Sequence, residues 1–107
     1  MHCGENILDN YSVKLYARAN RDLEEIFKYI ANNISEPLAA EKMIDALENA
    51  IANLEYFPER GAVRQNGIYA NKNYRQLFVK NYVIIYKVLK EHKDVHIVTV
   101  RYAPSNF

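Results

Sequence analysis

Between Tyr74 and Tyr102 the chain reads YRQLFVKNYVIIYKVLKEHKDVHIVTVRY, three runs dense in Val, Ile, Tyr and Phe. Such residues suit a pleated, half-buried surface. The two polar breaks, Lys80-Asn81 and Glu91 to Asp94, have the length of hairpin connections. In the first run Arg75, Leu77 and Val79 alternate with Tyr74, Gln76 and Phe78; in the second Tyr82, Ile84, Tyr86 and Val88 alternate with Val83, Ile85 and Lys87. Both sets are apolar near the middle, as in an interior strand covered on two sides. The pattern predicts a three-stranded antiparallel meander, and a sheet of this kind needs an amphipathic layer across it.

The first half of the chain supplies that layer. Tyr11 to Tyr16 alternates, with Tyr11, Val13 and Leu15 on one face, and is expected to be a strand of the same sheet. From Arg18 the period lengthens. Leu23, Ile26, Phe27, Ile30 and Ile34 make one helical stripe. Asn20 stands as its N-cap, with Asp22, Glu24 and Glu25 in the first turns, and Asn32-Asn33 ends it. Ser35 is positioned to cap a second helix with Pro37 in its first turn. Its stripe is Ala40, Met43, Ile44, Leu47, Ile51 and Leu54, and the segment Phe57 to Gly61 stops it. The short connection makes the two helices an antiparallel hairpin. Residues 61–73 are irregular, with a short strand expected near Gly67 to Ala70. The expected order is β-α-α-(β)-β-β-β, an α+β fold in which an antiparallel sheet carries a helical hairpin on one face.

At 107 residues the chain makes a single domain, expected over 11–107 behind a flexible leader at 1–10. One cysteine, Cys3, excludes an internal disulfide framework and suits a reducing cytoplasm. No apolar run approaches the ~20 residues of a membrane span, and the N-terminus lacks signal-peptide features. The net charge of +1 hides an asymmetry. Residues 1–57 hold five Lys/Arg and ten Asp/Glu, a balance of −5; residues 58–107 hold nine and three, a balance of +6. Two readings stand: the strands present a positive surface to an anionic partner, or the charges only solvate exposed strand faces.

Arg21-Asp22-Leu23-Glu24-Glu25-Ile26 with Tyr29-Ile30, and Leu54-Glu55-Tyr56-Phe57-Pro58-Glu59-Arg60-Gly61, open a longer pattern. Tyr74-Arg75-Gln76-Leu77, Tyr82 to Val88 and Val95 to Val100 complete it. In this order and spacing the chain resembles the ParE/RelE toxin superfamily of bacterial type II toxin–antitoxin modules (plasmid-stabilisation, or addiction, modules), from about Tyr11 to Tyr102. The resemblance implies a small toxin held inactive by a cognate antitoxin that wraps its surface; an oligomer formed with that antitoxin, and no cofactor or metal, are expected. RelE-like members cleave mRNA in the ribosomal A site; ParE-like members act on DNA gyrase.

Metal-independent RNA cleavage requires a group to deprotonate a 2′-OH, cations for the phosphate, and an acid for the leaving oxygen. RelE-like enzymes draw these from Arg and Lys on the strands and from His, Tyr or Arg near the C-terminus. Here Val83 stands where an Arg is expected, and Ala103-Pro104-Ser105-Asn106 follows Arg101-Tyr102. Arg60, Arg64, Arg75 and Tyr102 remain as a reduced catalytic set. The departure favours the ParE-like branch and gyrase, with the ribosome-dependent endoribonuclease as the alternative and an inactivated, antitoxin-binding toxin as a third reading. Each candidate also has a structural reading. Arg75 can hold a loop carbonyl, Arg60 and Arg64 can favour a helix C-terminus, and Tyr82, Tyr86 and Tyr102 can pack. His92, in a turn, and His96, on a strand, are assigned neither metal nor catalytic roles.

Overall fold

The computed structural model describes residues 10–33, 36–64 and 74–104. Its elements are β1 (Ser12–Leu15), α1 (Ala17–Lys28), a π-helical turn (Tyr29–Asn33), α2 (Pro37–Asn53), β2 (Ala62–Val63), β3 (Tyr74–Val79), β4 (Tyr82–Leu89) and β5 (Asp94–Tyr102). The strands form one sheet in the order β1-β5-β4-β3-β2. β3, β4 and β5 are the antiparallel meander that the alternation indicates, with Leu77 opposite Ile84 and Ile84 opposite Val100. β1 joins the same sheet, as expected, but runs parallel to β5, pairing Val13 with Val95 and Leu15 with Ile97. The sheet is therefore mixed.

Alternation decides which side chains meet the helices. Tyr82, Ile84 and Tyr86 of β4 and Val95, Ile97 and Val100 of β5 form the core. Ala19, Leu23 and Ile30 from the first helical segment and Ala40, Met43, Leu47, Ile51 and Leu54 from the second close over them. Val83 and Ile85, which alternate to the opposite face, are buried as well. An extra residue, Val98, sits in β5 where the register shifts between Ile85 and Tyr86. Among the described residues no helix is long and apolar enough to cross a membrane.

Several local expectations are corrected. Asn20 is not the N-cap: α1 begins at Ala17, with Tyr16 at the cap position and no side chain capping it. The Tyr16 N–H donates to Ile97 O while its carbonyl accepts from the Asn20 N–H. The last ladder bond of the strand and the first bond of the helix thus share one residue, leaving no loop to cap. Phe27 lies off the buried seam and is 38% exposed. Pro37 opens α2 at N1, but the cap position is Glu36, without a side-chain bond; Ile34 and Ser35 lie outside the described residues. The short strand after α2 is Ala62–Val63, and the stretch from Gly67 to Ala70 is outside the described residues. The second hairpin turn ends at Lys93, one residue earlier than expected, because Asp94 already pairs with Leu89.

The early helix start gives Asp22 a different task. It lies a full turn inside α1, and its Oδ2 accepts hydrogen bonds from Thr99 Oγ1 (2.5 Å) and from the Val100 N–H (3.1 Å). β1 stops pairing at Leu15. Asp22 therefore satisfies a backbone donor on the β5 edge beyond the end of β1, where an orphaned N–H would be costly.

Candidate functional site

Three of the four nominated catalytic residues gather around the turn that leaves α2. Tyr86, fully buried in the middle strand, accepts the Gly61 N–H on its hydroxyl at 2.8 Å. Arg75, directly opposite Tyr86 on β3, donates through Nη1 to Gly61 O at 2.5 Å and to Glu59 O at 3.2 Å. The turn is held from below by a phenol and from the side by a guanidinium. A Cβ on residue 61 would come within 2.5 Å of Gln76 O and 2.7 Å of the Tyr86 hydroxyl, so this close approach demands glycine. Burial pushes the Tyr86 phenol above its ordinary pKa of 10.0, and the Gly61 N–H and the Arg75 charge pull partly against it.

The neighbours are similarly engaged. Arg64 Nη1 donates to Gln76 Oε1 at 3.0 Å, and its N–H donates to Tyr74 O, extending β2 along β3. Glu59 Oε2 lies 2.6 Å from Lys90 Nζ. The hydrogen bond and charge of Lys90 hold the Glu59 carboxyl below 4.5, and Glu59 in turn raises Lys90 above 10.5. Arg60 is exposed and lines a cleft of about 800 Å³ with Tyr11, Phe57, Pro58, Glu59 and Lys90.

Tyr102 is elsewhere. It pairs with Tyr82, whereas Arg75 pairs with Tyr86; the two β4 positions are four steps apart along the strand, about 13 Å. Tyr102 is 64% exposed, and its ring meets that of Tyr82 edge-on with centroids 5.5 Å apart. The Tyr82 phenol is raised by burial and, secondarily, by Tyr102 and Tyr29. Here the far end of the helical hairpin and the ends of β4 and β5 enclose a groove of about 780 Å³, floored by Ile26, Met43 and Val100 and walled by Tyr29, Tyr82 and Tyr102.

The expected set therefore divides: Arg75 bonds the backbone of the turn, Arg64 bonds the Gln76 side chain, Arg60 is exposed beside them, and Tyr102 is distant. General acids and bases act at hydrogen-bond reach of the reacting atoms, and Tyr102 stands beyond that reach of Arg75 in this structure. Val83, where the resemblance implies a cation, is buried.

The residues that sequence reasoning passed over lie on the sheet face opposite the helices. Register puts Lys14 beside His96, His96 beside Lys87, and Lys87 beside Tyr74, one row across four adjacent strands. His96 Nδ1 is 3.2 Å from the Tyr16 hydroxyl, and its Nε2 is 3.8 Å from Asp94 Oδ2. Lys14 Nζ is 3.6 Å from the same carboxylate, and Lys87 Nζ stands 5.7 Å over the Tyr74 ring. The spacing Asp94-x-His96 was the available signal, because residues two apart on a strand share a face.

The chain matches the family model described as the ParE toxin of the type II toxin-antitoxin system parDE over residues 13–106. No curated protein gives a sequence match. Among solved structures it is similar to a chain of the chromosomal ParDE toxin-antitoxin system from P. aeruginosa, with 20% identity, a TM-score of 0.72, and coverage of 89% of this chain and 98% of the other. It is also similar to a chain of the RelBE2 toxin-antitoxin complex from Mycobacterium tuberculosis, with 21% identity, a TM-score of 0.62, and 90% and 94% coverage. A free RelE toxin mutant from E. coli shares the fold at 13% identity and a TM-score of 0.60, with 91% and 87% coverage. These likenesses carry the α+β fold, and the family match covers most of the chain. The chain belongs to the ParE toxin family of type II toxin–antitoxin systems.

Proposed function

We propose that this toxin arrests growth in the cytoplasm by binding DNA gyrase rather than by cutting RNA, and that a cognate antitoxin neutralises it. The observation carrying this reading is the engagement of Arg75. Its guanidinium is spent on the carbonyls of Glu59 and Gly61, and the one tyrosine of the nominated set stands at the other end of the sheet. A catalyst for phosphodiester cleavage concentrates its donors where charge develops. This arrangement instead rigidifies a turn, which suits a toxin that works as a binding surface.

The antitoxin assignment draws on family membership and on the ParDE and RelBE2 assemblies of the similar structures. The groove beside Tyr29 and Tyr102 supports it, because exposed aromatic walls over an apolar floor suit the apolar face of an amphipathic helix. Induced expression in cells, with translation and plasmid supercoiling followed separately, tests the reading. Relaxed plasmid or DNA damage with translation initially intact is expected. Prompt loss of translation with cleaved mRNA and normal supercoiling would install the ribosome-dependent nuclease in its place.

A further inference from the structure

The charge asymmetry of the sequence becomes spatial in the fold. Residues 17–55, which build the helical layer, carry eight Asp/Glu against four Lys/Arg. Among described strand residues directed to the opposite face, register places Lys14, Lys87 and Arg101, with Arg64 beside Gln76 on the same side, against Asp94 alone. The two layers have opposite signs.

Within that face the row Lys14–His96–Lys87–Tyr74 is ordered. Adjacent members sit on hydrogen-bonded strands, so successive positions are about 4.8 Å apart. Tyr16 and Asp94 contact the imidazole, and the Tyr74 ring lies under Lys87. Neighbouring groups thereby hold the row in place, and a partner meets it partly pre-organised.

We propose that this row, on the face away from the helices, is the surface through which the toxin grips its target, and that it receives an acidic segment of the target protein. The inference rests on the gyrase reading above and adds which surface does the work. A protein segment fits better than nucleic acid for two reasons. Asp94 lies within 4 Å of both Lys14 and His96 and would set a carboxylate against a phosphate backbone. A peptide can answer Asp94 with an N–H while its own carboxylates meet Lys14 and Lys87. Electrostatic complementarity of this kind governs association rate and specificity.

The test uses the full chain and its Lys14→Glu/Lys87→Glu double variant, each checked by thermal melting, with purified gyrase as the probe. Lys14 is exposed and Lys87 half-buried, and the variant loses the Lys14–Asp94 and Lys87–Tyr74 contacts, so it is expected to melt somewhat lower and binding is compared at a temperature where both proteins are folded. Gyrase binding by the unmodified toxin should weaken as salt rises. Reversing two contact charges should weaken it roughly tenfold or more at low salt, chiefly through slower association. A Lys14→Arg/Lys87→Arg variant should retain binding. A folded double-Glu variant that inhibits gyrase as well as the parent overturns the surface while leaving the gyrase reading intact. An unmodified toxin that fails to bind gyrase overturns the reading beneath it. Single-stranded oligonucleotide binding lost in the double-Glu variant, with gyrase inhibition retained, would assign the face to nucleic acid and refute the proposal.

Discussion

Replacing Tyr86 with Phe isolates one atom on which the turn after α2 depends. The ring stays, so core packing in the middle strand is nearly conserved; only the hydroxyl that accepts the Gly61 N–H at 2.8 Å is lost. Gly61 is itself buried, and even a Cβ there would collide with the Gln76 carbonyl, which leaves little room for water to replace the acceptor. A buried donor stranded in this way costs about 1–3 kcal/mol. For a chain of this size that corresponds to a fall in Tm of at least about 4 °C. Urea titration gives the free energy directly, and an unchanged slope with a lower midpoint would identify a stability effect. Arg75→Ala releases the Gly61 and Glu59 carbonyls from the same turn, so the two changes should not add. A double-mutant cycle is expected to give a coupling of about 0.5–3 kcal/mol, the range for residues sharing partners. A loss below about 0.5 kcal/mol for Tyr86→Phe, the level of neutral surface changes, would refute the claim that phenol and guanidinium jointly hold the turn.

Other substitutions probe other parts of the fold. Leu47 is fully buried between α2 and the sheet, and Leu47→Ala should cost about 2–5 kcal/mol in the same titration; a near-neutral result would deny the helix its packing face. Asp22→Ala removes the acceptor for Thr99 and Val100, each bond to a charged acceptor being worth about 1.5–3 kcal/mol. Faster hydrogen exchange at Val100 should accompany the loss, and unchanged exchange there would contradict the edge-capping role. The Glu59–Lys90 pair sets a pH signature. Glu59 is depressed below 4.5, so its contribution is present above that value and disappears as pH falls through the folded pKa. Lys90 is raised above 10.5, so its contribution is present below that value and is lost as pH rises beyond it. The difference in Tm between the parent and Glu59→Gln should therefore shrink at both extremes; a difference independent of pH would show that the pair contributes nothing.

Much of the fold was readable because period is a strong signal. Tyr82 to Val88 alternates too regularly to be anything but a strand, and Met43, Leu47, Ile51 and Leu54 recur at helical spacing. The direction of β1 was not readable, since alternation is the same in parallel and antiparallel neighbours. The start of α1 was hidden for a different reason: Tyr16 serves strand and helix together, so the sequence carries no capping residue to mark the boundary. At the site, the structural alternative for Arg75, a bond to a loop carbonyl, was legible and holds in the fold. What could not be read was the distance from Arg75 to Tyr102, or the alignment of Lys14, His96 and Lys87. Both depend on register: the position of Tyr102 is set by the hairpin turns and the extra residue at Val98, and the alignment of the row by the β4–β5 turn and the parallel pairing of β1 with β5. No local pattern encodes a row that crosses four strands.

In the proposed reading Arg75 stabilises the turn at Gly61 and the toxin acts on gyrase through a surface. Purified toxin added to gyrase in a supercoiling reaction, and in parallel to ribosomes programmed with mRNA, addresses it most directly. Inhibition of supercoiling with intact mRNA is the expected result. Efficient A-site cleavage by the unmodified protein, abolished by a folded Arg75→Ala variant, would contradict it.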